Sequence, residues 1–328
     1  MNFSAYIGKR ILQSFFVVLA VGLLSFTLFQ YVGDPLSVLT SVEMTVEQRE
    51  QLRESLGLTD SPIVQYLRFL FSVINGRWGV SFFYKTEVSE LILNRLPATL
   101  ELAIVAMLVS LVIGIPIGVY TSIKNQSKRS SALILFSLVG MSTPTFVTGA
   151  CLILLFAVII PIFPAFGRGM VVDLGIWKTG LLSLSGLRSI ILPSLTLGCF
   201  QAGIIIRLTR SETLSILQKE YIQFARARGI PWPQIRKKYV IKNTLVPLLN
   251  ILGVQFGSLI AFSVVTESVF QWPGLGLLFI EAVQNVDIPI MSTYLMLVAF
   301  FFTGVTLCVD IISYFLDPRL SAKALQGS

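Results

Sequence analysis

Glu220-Tyr221-Ile222-Gln223-Phe224-Ala225-Arg226-Ala227-Arg228-Gly229-Ile230 sits between two apolar stretches, 189–206 and 243–266, each near membrane length. Two prolines, Pro231 and Pro233, follow it directly. A polar helix closed by a glycine does not suit hydrocarbon, so this stretch belongs in water at a membrane face. Arg226, Arg228, Arg236, Lys237, Lys238 and Lys242 assign that face to the cytoplasm, because basic loops are retained inside. Such an element, held against the inner face, suits a docking surface for a soluble partner.

Its detail follows from local rules. Ser211-Glu212-Thr213-Leu214 is expected to start a helix, with hydroxyls for the unpaired amide donors and Glu212 near the positive end of the dipole. Leu214, Leu217, Tyr221, Phe224 and Ala225 follow helical spacing and form one predicted face. Gly229 ends that helix, Pro231 and Pro233 stiffen the turn, and a second helix over 234–242 runs into Asn243 and Pro247. Ala225 and Ala227 leave low relief beside Gly229, which allows another backbone to approach. The prediction is a rigid lever.

The 328 residues are 54% hydrophobic and only 13% charged, against about 25% charged in soluble domains. About 20 apolar residues cross a hydrocarbon core of roughly 30 Å. Windows 11–33, 102–123, 130–167, 243–266 and 288–309 qualify without a charged residue. Window 189–206 reaches sufficient length if the helix continues past a snorkelling Arg207. The predicted fold is therefore an all-α polytopic membrane protein with six spans. The window 130–167 is too long for one untilted helix. Pro144 is expected to kink it and Pro161 and Pro164 to end it. An alternative splits this window into two short spans, giving seven and placing the termini on opposite sides. Residues 11–33 read as a retained span, being too long for a signal peptide and lacking a small-residue cleavage pattern.

The net charge of +8 is distributed as a topology signal and not as a nucleic-acid footprint. Lys9, Arg10, Lys124, Lys128 and Arg129 flank spans on one side, and residues 207–242 carry nine basic and two acidic residues. On the other side, residues 34–95 carry six basic and eight acidic residues, and Glu267, Glu281 and Asp287 have no basic neighbour. Both termini are thus expected in the cytoplasm. The segment 161–188 runs against this rule, with Arg168, Lys178 and Arg188 against Asp173. The chain has no histidine, and Cys151, Cys199 and Cys308 lie in apolar windows without metal-ligand spacing, which predicts buried small side chains. In the outer region, helices are expected over 45–56, capped by Thr45, and over 62–74, opened by Pro62 and ended by Asn75-Gly76.

The stretch 220–229 with Lys242-Asn243-Thr244-Leu245-Val246-Pro247 resembles the signature loop of ABC importer permeases of the dipeptide/oligopeptide/nickel family. Further matches are Tyr6–Arg10, Gly33–Pro35, Leu56–Leu58 with Pro62, Gln65 and Tyr66, Leu96–Glu101 at the start of helix 2, Ser142–Phe146, Trp272–Gly276 and Asp317–Arg319. Together they cover roughly residues 5–320 and resemble the first permease subunit, the one with a long outer loop. Arg77 and Trp78 depart from the pattern in that loop.

The resemblance implies a type I importer permease fold with cytoplasmic coupling helices and both termini inside. It divides the chain into an N-terminal span with a helical periplasmic loop (1–95), a five-helix core (96–320) with the coupling loop at 211–245, and a short tail (321–328). It also implies assembly with a second, homologous permease as a heterodimer, two cytoplasmic ABC ATPases and an extracytoplasmic solute-binding protein, all within membrane lipid. The ATPases, not this chain, would bind ATP and Mg. Glu220, Tyr221, Phe224, Ala225, Ala227, Gly229 and Pro231 become the docking residues. The substrates implied are di- or oligopeptides, with glutathione, opines, oligosaccharides, peptide antibiotics and nickel chelates open.

Residues alone support this division of labour. No phosphate loop of the form GxxxxGK[ST] is present. Glu101, Glu267 and Asp310 fall toward span ends, whereas a proton- or sodium-coupled carrier needs ionisable groups at the midplane. No catalytic constellation is found, which disfavours an intramembrane enzyme. The amides Gln201, Asn250 and Gln255 either line a pathway or bond between helices, and Phe256 and Phe262 are candidate gate residues. The pairs Gly114/Gly118 and Gly253/Gly257 are small-residue stripes for helix packing, within the chain or against a second permease.

Overall fold

The computed structural model describes residues 3–32, 45–55, 59–175 and 177–316. The motifs at 33–35, 56–58 and 317–319, and the tail 321–328, lie outside the described residues. The helices are α1 (Phe3–Val32), α2 (Val46–Ser55), α3 (Pro62–Ile74), α4 (Val88–Ile123), α5 (Lys128–Ser142), α6 (Thr145–Ile153), α7 (Leu184–Leu217), α8 (Glu220–Ala227), α9 (Lys242–Val269), α10 (Leu275–Gln284) and α11 (Ile288–Leu316). A two-stranded hairpin pairs Val172–Asp173 with Lys178–Thr179.

Five helices, α1, α4, α7, α9 and α11, are long and apolar enough to cross a membrane unbroken. The sixth crossing is a bent pair: α5, then α6 continued by a π-helical turn over Leu154–Ile159, at 103° to each other. Pro144 causes the break. It has no amide donor for the preceding turn, and it drives Thr143 into an extended conformation with ψ 127°. The helix stops at Ile159, ahead of Pro161, as expected.

Two bonds decide whether the pair crosses or re-enters. Ser130 Oγ donates to the carbonyl of Thr121 (3.1 Å), near the inner end of α4. Gly167 N donates to the carbonyl of Phe270 (3.0 Å), just beyond the outer end of α9. The bent pair therefore carries the chain across once, and the seven-span alternative falls. Arg10 pairs with Asp310 at 3.1 Å, joining the start of α1 to the far part of α11 and placing both on one side.

Two expected boundaries move. Helix α7 runs 34 residues without a break through Arg207 and Ser211, so Ser211 does not start a helix. Nothing there stops one: the hydroxyl of Thr213 bonds back to the Thr209 carbonyl (2.6 Å), and no glycine or proline intervenes. Helix α4 begins at Val88, which puts Leu96-Pro97 inside it and not at its start.

Helices α4 and α7 form the centre. A Cβ on Gly118 would lie 2.5 Å from Thr209 Cβ, and one on Gly114 would lie 2.6 Å from Ile205 Cγ2. Gly257 meets Phe302 of α11 in the same way, at 2.5 Å. Both stripes are therefore used within the chain, where close backbone approach supplies the dispersion contacts that hold helices together in lipid. Leu102, Ala106, Leu197, Ile205, Leu259 and Trp272 fill the space between α4, α7 and α9. Cys151 and Cys308 are exposed, contrary to the expectation of burial. Their helices turn those faces away from the core.

On the outer side, Thr45 and Gln48 form a reciprocal cap, each amide bonded to the other's side chain. Helix α3 has the expected bounds, with Asn75 as its cap and Gly76 at φ 72°. It docks on α1 through Tyr66 Oη, which donates to the Leu19 carbonyl (2.8 Å), and through Phe26 against Tyr66 and Phe69.

Candidate functional site

Helix α7 delivers the chain to the inner side, and after Lys219 it turns into α8. Gly229, at φ 71°, then closes α8. Its amide donates to the Arg226 carbonyl (2.9 Å), and the Ile230 amide donates to the Ala225 carbonyl (3.2 Å). These two bonds and the left-handed glycine make a Schellman closure, with apolar Ile230 folded back beneath the helix. A single helical turn (Trp232–Gln234) and a π-helical segment (Ile235–Ile241) lead into α9.

The lobe has its own small core. Ile216, Ile222, Ala225, Ile235 and Val240 are buried together, with Leu217, Ile230, Trp232 and Tyr239 around them. The lobe is thereby fixed to the end of α7 and to the π-helical segment that continues into α9. The predicted single face is split by this arrangement. Ile222 and Ala225 are 0% and 4% exposed, whereas Tyr221 and Phe224 are 42% and 64% exposed. Ala225 is thus an anchor beneath the surface, and the outward face carries Glu220, Tyr221, Phe224, Ala227, Gly229 and Pro231, all exposed. Arg228 lies 5.7 Å from the Phe224 ring centre, and Arg226 lies 4.8 Å from that of Trp232. Asn243 Nδ2 donates to Tyr221 Oη (3.4 Å) and to the Tyr239 carbonyl (2.7 Å), linking the face to the first turn of α9. The anchors Ile216, Ile222, Ile235 and Val240 were not legible as such, though their apolar spacing was a signal.

Two of the pathway candidates are brought together. Gln201 Nε2 donates to Gln255 Oε1 (2.8 Å), so these amides bond α7 to α9. Phe256 packs against the central core, while Phe262 faces outward at 63% exposure. The side chain of Asn250 lies outside the described set.

Three carboxylates organise the outer ends. Glu267 accepts from Thr99 Oγ1 and Ser263 Oγ, and from the amides of Gly276 and Leu277 at the start of α10. There it meets the positive end of the helix dipole. Asp287 accepts from Ser81 Oγ and from Phe83 N (3.0 Å), holding the outer loop over 79–87. Glu101 accepts from Arg168 (2.6 Å), Trp177 Nε1 (3.2 Å) and Gly180 N (3.3 Å). The apparent basic excess of 161–188 is thereby reduced, since Arg168 is neutralised in place. Trp78 is accommodated by packing near Val88 and Ile92, with its indole donating to the Val73 carbonyl (3.2 Å). Burial, followed by the hydrogen bond to Glu281 (2.7 Å), pushes the Tyr84 phenol up to about 12.

Six crossings, small-residue helix packing and a lobe with its own core on the inner side define a polytopic membrane protein. The chain belongs to the family described as binding-protein-dependent transport system inner membrane component, which matches residues 114–322; the N-terminal component of such systems matches residues 3–103. It is 34% identical to the oligopeptide transport system permease protein AppB of Bacillus subtilis (strain 168), over 97% of this chain and 99% of that protein. It is 31% identical to the dipeptide transport system permease protein DppB of Escherichia coli (strain K12), over 93% and 95%. A chain of the inward-facing MetNI methionine ABC transporter shares the fold, with TM-score 0.56 and 19% identity over 69% of this chain and 96% of that one. The protein is an inner-membrane permease subunit of the type I importer fold. It is not a catalytic subunit, and it works in a system that includes a binding protein and an ATPase.

Proposed function

We propose that this chain forms half of a translocation pathway for di- or oligopeptides, paired with a second, homologous permease. Two cytoplasmic ATPases, holding ATP and Mg, dock on the lobe at Glu220, Tyr221, Phe224, Ala227, Gly229 and Pro231. A solute-binding protein delivers peptide to the outer side. The observation that carries this reading is the two-faced α8: one apolar face is sealed against the end of α7 and the π-helical segment that runs into α9, while Tyr221 and Phe224 remain outside. A partner that pushes on the outer face moves both spans, because the inner face cannot slide. The peptide assignment draws on AppB and DppB, named for oligopeptide and dipeptide transport. The regions 1–95, 96–320 and 321–328 correspond to an N-terminal span with outer loop, a five-helix core and a tail. Labelled di- and tripeptide uptake into proteoliposomes holding the purified complex tests the proposal. Uptake is expected only with ATP inside the cytoplasmic compartment and binding protein outside. Uptake by this chain without an ATPase would overturn it.

A further inference from the structure

Helices α5 and α7 touch where Gly203 meets Ser137 and Met141, and a groove of about 620 Å³ opens inward from there. Leu138 and Met141 form one wall, Ile204 and Leu214 the other, and Arg207 and Arg210 face into it. Among the described residues, no acidic side chain lines it. The inner end of the groove is fixed by Arg210, which donates to the Thr121 carbonyl (2.8 Å) and to Asn125 Oδ1 (2.5 Å), where α4 ends. Arg207 is three residues further back along α7, roughly 4.5 Å along the axis, and is exposed. Among the described residues it has no hydrogen-bond or ion-pair partner. Lys124, Lys128 and Arg129 are exposed at the same inner end.

A guanidinium without a partner toward the inner end of a span is stabilised where it finds an anion or reaches the interface. The apolar walls suit acyl chains, and the charge at the mouth suits a phosphate. From this juxtaposition we infer that the α5–α7 groove binds an anionic phospholipid of the inner leaflet, its headgroup phosphate on Arg207 and its chains along Leu138, Met141 and Ile204. The site lies on a different element from the docking lobe and does not depend on what the importer carries. Lipid bound here bridges the bent span to α7, the helix that bears the lobe.

Native mass spectrometry on the purified complex, from nanodiscs of phosphatidylglycerol or phosphatidylcholine, tests the inference. Phosphatidylglycerol is expected to be retained in preference, with about fivefold weaker retention for Arg207→Gln. Arg207→Lys, which keeps the charge, is expected to retain more lipid than Arg207→Gln at an unchanged melting temperature. Equal retention of the two lipids, or no effect of Arg207→Gln, would overturn the site. Cross-linking of a Leu138→Cys variant to the second permease would also overturn it, by assigning the groove to a subunit contact.

Discussion

Arg168 donates to Glu101 across 2.6 Å with both side chains buried, joining the outer segment after the bent span to α4. Trp177 and Gly180 donate to the same carboxylate. A buried pair adds little net stability over an apolar substitute, but breaking it strands a charge and costs about 3–5 kcal/mol. Glu101→Ala should therefore lower the melting temperature of the complex sharply. The double variant Glu101→Leu/Arg168→Met should recover most of the loss. Equal melting temperatures for Glu101→Ala and the native protein would show that the outer segment is held otherwise.

The two faces of α8 should separate in mutation. Ile222→Ala removes a fully buried side chain from the lobe core and should cost about 2–5 kcal/mol, read as lower complex stability. Phe224→Ala removes an exposed ring and should leave stability within about 0.5 kcal/mol. Its effect should fall on ATP-driven uptake, which is lost or reduced at least tenfold while ATP hydrolysis persists.

Gly229 is held in the left-handed region, at φ 71°, with open space where a Cβ would stand. Gly229→Asn should be tolerated for folding, since asparagine adopts this conformation with little strain. Gly229→Val should cost about 1–3 kcal/mol through backbone strain. Gly229→Trp should insert into the membrane normally yet uncouple hydrolysis from uptake. Normal peptide uptake by the tryptophan variant would contradict docking at this turn.

The outer loop carries a pH signature of defined sign. The Tyr84 phenol is pushed up to about 12, above its ordinary value of 10.0, so the folded state retains the proton longer than the unfolded one. The stabilisation is fully present below about pH 10 and is lost as pH rises toward 12. Hydrogen-exchange protection over residues 79–87, taken relative to the base-catalysed intrinsic rate, should hold through neutral pH and fall only in that alkaline window. Tyr84→Phe should remove the step.

The spans were legible because hydrocarbon thickness leaves few ways to place 20 apolar residues, and α3 was legible because Pro62 and Asn75-Gly76 mark both ends. The full length of α7 was not, because Arg207, Arg210 and Glu212 interrupt the apolar run without interrupting the helix. The lobe misled in a specific way. Tyr221 and Phe224 have the same three-residue spacing as Ile222 and Ala225, one position out of register. A docking face is itself apolar, so periodicity finds both faces and cannot say which one is sealed. The Arg168–Glu101 pair was hidden by a sequence separation of 67 residues, as was the bond between Gln201 and Gln255, 54 residues apart.

Cross-linking from single cysteines tests the docking face most directly. The assembled importer would carry Phe224→Cys, in a background lacking Cys151, Cys199 and Cys308, and be treated with a short thiol–amine reagent. The expected result is a covalent adduct between this chain and the ATPase from Phe224→Cys, and none from the outward-facing, membrane-embedded Phe262→Cys. An ATPase adduct from both positions, or from neither, would contradict docking on the 220–231 lobe.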